Sequence, residues 1–173
     1  MQNKRYSIRR LDELHQRNSF SCSIKVLDNY IHHFATQDKK RNIAITYVLN
    51  DEEENKIAGY YSLSSTSIEC SGLPDLIIKK LPRYPLLPAT LIGRLALDVN
   101  YQHKGLGEVL LFDALKRVSE TSETVASLAV VVDTINETAA SFYQKYGFLP
   151  LASAKLFLPM QLINKLCNTR EML

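Results

Sequence analysis

Two short stretches carry residues that chemistry could use. Gln102-His103-Lys104-Gly105-Leu106-Gly107 joins a β-like run, Thr90–Val99, to a run with Leu106, Val109, Leu110, Ala114 and Val118 on one helical side. Glycines let backbone N–H groups approach a phosphate closely, and a helix N-terminus adds partial positive charge. Lys104 adds a full charge beside them. These are the makings of an anion site. On its own the pattern is weak, and a glycine turn that merely joins strand to helix is the competing reading. The dinucleotide G-x-G-x-x-G is absent because Leu110 holds its third position, and the P-loop pattern G-x-x-x-x-G-K-[ST] is absent too. The second stretch, Ser141-Phe142-Tyr143-Gln144-Lys145-Tyr146-Gly147-Phe148, places two phenols in a short helix. A phenol with pKa near ~10 is a protonated donor at neutral pH, although core packing explains most buried tyrosines.

Other candidates are weaker. His32 and His33 are adjacent, so on a helix they point about 100° apart and cannot share a metal well. Both read as surface or partner-facing residues, and no metal site is expected. Cys22 has no basic or histidine neighbour in sequence to activate it. Asp98 offers one carboxylate near a strand end, either as a base or as a brace for the loop. Lys39-Lys40-Arg41 and Lys79-Lys80 with Arg83 form basic groups, and Asp51-Glu52-Glu53-Glu54 forms an acidic one. Solvated loops account for most such groups; a polyanion surface is the sharper alternative.

The elements that must position these residues follow from periodicity. Tyr6–Ile8 reads as a first strand. A helix is expected over Ser23–Phe34, capped by Ser21 or Ser23, with Ile24, Leu27, Ile31 and Phe34 on one face. Ile43–Leu49 and Ile57–Leu63 read as a hairpin around the acidic turn. Pro74, Pro82, Pro85 and Pro88 leave room for one short helix near Asp75–Lys80. After the glycine loop and its helix, Ser127–Val132 reads as a strand buried on both faces. Asn136–Tyr146 reads as a helix closed by Gly147. Phe148–Leu149 and Lys155–Leu158 are the last strands, and a short helix is possible after Pro159.

Composition sets the outer bounds. The 173 residues fit a single domain, 1–173, and 46% hydrophobic with 23% charged residues reads as an ordinary globular protein. No apolar run approaches the ~20 residues of a membrane span. The start, Met1-Gln2-Asn3-Lys4-Arg5-Tyr6, is polar and basic, so no signal peptide is expected. Three separated cysteines argue against a disulfide framework and fit a reducing, cytoplasmic setting. A net charge of +3 does not by itself point to nucleic acid.

The loop resembles motif A of the GNAT acetyltransferase superfamily, [QR]-x-x-G-x-[GA], and every defining position is filled between Gln102 and Gly107. Ser141–Phe148 resembles the same superfamily's F-Y-x-[KR]-x-G-F segment. Several further blocks look like the GNAT toxins of bacterial toxin–antitoxin pairs. These are Leu27-Asp28-Asn29-Tyr30, Ile57–Ser64, Leu81–Ala89 and Ile92-Gly93-Arg94-Leu95-Ala96. The loop departs from them at His103, where such sequences often have glycine or arginine.

The resemblance implies a mixed α/β fold, a mostly antiparallel sheet splayed at the acetyl-CoA site and flanked by helices. It implies acetyl-CoA as co-substrate, held by Leu95, Ala96, Leu97, Gln102, His103, Lys104, Gly105, Leu106, Gly107, Asn136 and Tyr143, with Tyr143 as the acid. The implied substrate is the α-amine of aminoacyl-tRNA, with a ribbon–helix–helix antitoxin and a homodimer as partners. Lys39, Lys40, Arg41, Arg83 and Arg94 then become candidate tRNA contacts, since Lys and Arg supply sequence-independent phosphate contacts. Arg94 has other readings, pairing with a carboxylate or serving a dimer contact. An ordinary GNAT acting on a small amine or a protein N-terminus, or a non-catalytic acetyl-CoA-binding module, is the alternative.

Overall fold

β-Branched and aromatic runs become strands, and the runs of 3.6-residue period become the helices that cover them. A computed structural model describes residues 5–152 and 154–171. Met1–Lys4, most of the stretch on which the expectation of no signal peptide rests, lie outside the described residues. The strands are β1 (Tyr6–Arg10), β2 (Ile45–Asp51), β3 (Lys56–Glu69), β4 (Leu86–Leu97), β5 (Ala129–Asp133), β6 (Leu149–Leu151) and β7 (Lys155–Pro159), in the sheet order β1-β2-β3-β4-β5-β7-β6. The β1–β2, β2–β3, β5–β7 and β6–β7 pairs are antiparallel, and β4–β5 is parallel. The helices are α1 (Lys25–Asn29), α2 (Ala35–Lys40), α3 (Asp75–Ile78), α4 (Leu106–Ser122), α5 (Glu137–Lys145) and α6 (Met160–Glu171). The chain divides into two compact units: residues 1–64 with 93–114, and residues 65–92 with 115–173.

In the first unit both faces of β3 are covered. Tyr60 and Tyr61 are adjacent, so they point to opposite faces, yet both are fully buried. The Tyr60 hydroxyl donates to the Leu27 carbonyl of α1 at 2.8 Å, and the Tyr61 hydroxyl donates to Asp113 of α4 at 2.5 Å. Gly59, paired with Leu49, makes the close approach possible. A β-carbon there would lie 2.6 Å from Leu97 Cδ2 and 2.8 Å from both the Ala96 carbonyl oxygen and Leu110 Cδ1.

The first helix departs from the sequence expectation in two ways. Neither Ser21 nor Ser23 caps it: Ser23 has φ 68°, and Ile24 is the N-cap without a side-chain bond. Asp28 reaches back from inside the first turn instead, accepting from the Cys22 N–H at 2.7 Å and the Ser21 hydroxyl at 3.2 Å. The helix also continues past Phe34 to Lys40 through a π-helical turn, Tyr30–Phe34. The wider turn shifts the face by one residue. Leu27, Tyr30, Ile31 and Ala35 are buried, and Phe34 rotates out to 46% exposure.

The acidic run is not simply a solvated turn. Asp51 is fully buried and accepts from Arg5 at 2.9 Å, from the Tyr101 hydroxyl at 2.9 Å and from the Glu53 N–H at 3.1 Å. Burial pushes its carboxyl up, but these donors and the Glu54 N–H outweigh it and hold the group below the ordinary carboxylate range. A depressed folded pKa means the contribution is complete above the unfolded value, near ~3.9, and is lost as pH falls through the folded one. Asp51→Asn is therefore expected to cost about 2 kcal/mol at pH 7. Urea titrations of both proteins should show that gap closing below about pH 4. A constant gap down to pH 2 would show that the carboxylate's charge is not what matters.

The second unit packs Ile68, Leu87, Ala89, Ala129, Val131 and Phe157 into its own core. Val130, Val131 and Val132 are all buried, as a continuous apolar strand requires. Val109 of α4, expected on the buried side, is 44% exposed.

Candidate active site

β4 ends at Leu97, and the chain turns through a single 3-10 turn, Val99–Tyr101, before α4. Asp98 builds that turn. It is buried, and its Oδ1 accepts from the Asn100 N–H and side-chain amide, both at 3.0 Å. Its Oδ2 accepts from the Ser21 N–H at 3.0 Å. Both oxygens are engaged, so Asp98 is a brace for the loop. Tyr101, next to Gln102, is tied to Asp51. Gln102 donates from its amide to the Leu97 carbonyl at 3.2 Å, pinning the loop to the strand end.

The loop itself needs left-handed backbone. His103 has φ 59° and Gly105 has φ 75°. A β-carbon on Gly105 would meet nothing within 4 Å, so conformation rather than crowding selects glycine there. Histidine is among the few non-glycine residues enriched at such angles, which gives His103 a backbone reason for its place. The open side of Gly105 leaves room for a ligand beside its amide. The first N–H groups of α4 have no acceptor within the helix, and a phosphate supplies one. Leu106 is buried and anchors the helix start. Lys104 places its ammonium on the Asn100 carbonyl at 2.7 Å and 5.2 Å from the Tyr101 ring centroid. These residues fit a pyrophosphate.

In the second unit, Asn136 caps α5, its Oδ1 accepting from the Ala139 N–H at 2.8 Å. The helix ends at Gly147, whose φ of 91° is left-handed, as expected. Tyr143 is buried between Phe142 and Phe148, with ring centroids at 5.2 and 5.3 Å. Its hydroxyl has no hydrogen-bond partner among the described residues. Desolvation raises its pKa above the ordinary phenol value. Tyr143 thus holds a protonated O–H in an apolar setting, without a partner among the described residues. Tyr146 packs on Phe142 at 5.3 Å.

The basic candidates are dispersed. Lys39, Lys40 and Arg41 are exposed at the C-terminal end of α2, where cations also complement the helix dipole. Arg83 is exposed in the loop after α3, with Lys79 and Lys80 before it. Arg94 is half-buried on β4, its guanidinium 3.6 Å from the centroid of the Tyr30 ring. Leu95 and Leu97 are half-buried and Ala96 is buried on the same strand. Of the adjacent pair His32 and His33, only His33 is exposed; the His32 ring bonds the Phe20 carbonyl at 2.8 Å and serves the fold. Burial lifts the Cys22 thiol to about 11, so it is no nucleophile at neutral pH. Sequence reasoning missed Asp51 and Tyr101, because only strand pairing brings residue 51 to the loop.

A loop that is left-handed at His103 and Gly105 and feeds a helix N-terminus suits the pyrophosphate of a CoA thioester. The sequence matches the acetyltransferase (GNAT) domain family over residues 42–150, and the chain belongs to that family. It is similar to a probable toxin, TacT, of Sinorhizobium fredii (strain NBRC 101917 / NGR234), 28% identical over 161 residues covering 88% of this chain and 89% of that one. It also resembles the structure of AtaT complexed with acetyl-methionyl-tRNAfMet, with TM-score 0.86 and 29% identity over 93% of this chain and 98% of that one. A mutant AtaT toxin bound to the C-terminus of the antitoxin AtaR matches with TM-score 0.78 and 26% identity, over 93% and 96% of the two chains.

Proposed function

We propose that this chain is a toxin that transfers the acetyl group of acetyl-CoA to the α-amine of aminoacyl-tRNA and so blocks translation. The observation that carries the cofactor assignment is the loop Gln102–Gly107, left-handed at His103 and Gly105 and running into α4. Its amides hold the pyrophosphate, with Leu95, Ala96 and Leu97 along the pantetheine arm; Asn136 is a further cofactor residue in this reading. The substrate assignment is supported by the likeness, over nearly the whole chain, to a toxin whose structure holds acetyl-methionyl-tRNAfMet.

The chemistry suits such a substrate. A free α-amine has a pKa near ~7.7–8.0, and an aminoacyl ester lowers it further by withdrawing electrons. A useful fraction is neutral at pH 7, so no strong general base is needed, in keeping with an Asp98 that is fully engaged. A backbone amide near Ala96 or Leu97 polarises the thioester carbonyl. The amine nitrogen bonds to the acetyl carbon, the carbon–sulfur bond breaks, and Tyr143 donates its proton to the departing thiolate; the surplus proton on the new amide nitrogen leaves to solvent, which restores the proton on Tyr143. In the same reading the partner is a ribbon–helix–helix antitoxin, the active species is a homodimer, and the site of action is the cytoplasm. Among the described residues no helix is long and apolar enough to cross a membrane.

The test is transfer from labelled acetyl-CoA to a bulk charged-tRNA pool, with deacylated tRNA as control. Label that requires charging and is released by ester hydrolysis is the expected result. Binding of acetyl-CoA with no label on charged tRNA would redirect the assignment to a small amine or a protein N-terminus.

A further inference from the structure

Arg94 carries a charge that no described residue neutralises. No carboxylate lies within ion-pair reach of it among the described residues. Its guanidinium sits 3.6 Å from the Tyr30 ring centroid instead. Tyr30 is itself held still: it is 3% exposed, stacked on Tyr60 at 6.1 Å and 23°, with its hydroxyl 3.4 Å from Thr46 Oγ1. It is also the first residue of the π-helical turn Tyr30–Phe34. Such turns are rare and recur at functional sites, and here the turn belongs to the aromatic platform beneath the cation.

A guanidinium stacked through its face keeps its N–H groups at the edge, where their fork matches two phosphate oxygens. Half-burial removes part of the water that would otherwise solvate the charge, and an arriving anion offsets that cost. Arg94 shares a face of β4 with Ala96, two residues or about 7 Å along the strand. A cation at that distance from the strand end where the acetyl carbonyl is held reaches a phosphate next to the reacting end of the acceptor.

We infer that Arg94, stacked on Tyr30, grips a phosphodiester close to the aminoacylated 3′ end of the acceptor RNA and positions the ester for attack. It is a positioning residue that favours a phosphate-bearing acceptor over a free amine. The inference rests on the function proposed above. Phosphates of acetyl-CoA are the other source of the same chemistry, and the experiment separates the two.

The experiment compares wild type, Arg94→Gln and Arg94→Lys in acetylation of the charged-tRNA pool across a range of salt concentrations. Acetyl-CoA affinity by calorimetry and melting temperature are measured alongside. For Arg94→Gln the KM for charged tRNA is expected to rise about tenfold, and the slope of log KM against log salt to fall by about 0.7, one single-strand phosphate contact. Acetyl-CoA affinity should not change. Arg94→Lys should recover part of the loss, because it keeps the charge without the fork. An unchanged KM, or a higher KM with an unchanged salt slope, would overturn the inference. So would an equal loss of acetyl-CoA affinity, which would assign Arg94 to the cofactor. If wild type leaves charged tRNA unlabelled, the proposed function falls and takes this inference with it. Labelling by wild type with an indifferent Arg94→Gln removes this inference alone.

Discussion

Tyr143→Phe is expected to lower the turnover of acetyl transfer at least tenfold while leaving acetyl-CoA binding nearly intact. Tenfold corresponds to about 1.4 kcal/mol of barrier, a modest demand on one proton donor. The thiol formed, with a pKa near ~8.5 if it behaves like cysteine's, is a stronger acid than the buried phenol, so the proton moves in concert with carbon–sulfur cleavage rather than to a free thiolate. Burial keeps Tyr143 protonated throughout the working pH range, so its own ionisation should not shape the pH profile near neutrality. The hydroxyl bonds to none of the described residues, so its removal orphans no partner, and the ring still packs on Phe142 and Phe148. Stability should therefore change by less than about 1 kcal/mol. Single-turnover rates at saturating acetyl-CoA, paired with calorimetric binding, check both halves. Undiminished turnover would remove Tyr143 from the mechanism; a matching loss of binding would recast it as a cofactor contact.

Gly59→Ala should have the largest effect on the fold. The added methyl carbon would sit 2.8 Å from the Ala96 carbonyl oxygen, a backbone atom, and under 3 Å from two leucine methyls. Side chains can turn aside, but a strand held in a sheet cannot do so without loosening its pairings. Overpacking of this kind costs about 3 kcal/mol at the upper end of its usual range. For a chain of this size that lowers the melting temperature by roughly 6–12 °C. The displaced segment, Ala96–Leu97, is the strand end that Gln102 holds through the Leu97 carbonyl. Acetyl-CoA affinity should therefore fall along with stability. A melting temperature within a degree or two of wild type would mean that β4 is far more compliant than its packing implies.

The local devices were legible in the sequence because each depends on residues close together in the chain. Gly105 and Gly107 mark a loop before an amphipathic run, Asn136 and Gly147 bracket α5, and Val130–Val132, short and β-branched, reads as a strand with both faces covered. Tyr143 was singled out because the segment around it resembles a family motif, not because a phenol in a helix announces chemistry. A single-residue change of helical register was not legible. The π-turn at Tyr30–Phe34 moved Phe34 out and Ala35 in, since packing against Tyr60 outweighs the 3.6-residue period. Nor was the start of that helix, where Ile24 is an N-cap without a side-chain bond and Asp28 ties the preceding Ser21 and Cys22 to the first turn. What only the tertiary structure decided is charge environment. Asp51 looked like one of four solvated acids, yet strand pairing buries it beneath Arg5 and Tyr101. Arg94 looked like one cation among several, yet it alone of the candidate RNA contacts rests on an aromatic platform formed by a helix distant in sequence. Most helix and turn signals lie among neighbours along the chain; the register of the π-turn and the solvation of a charge are set by what the fold brings across from elsewhere.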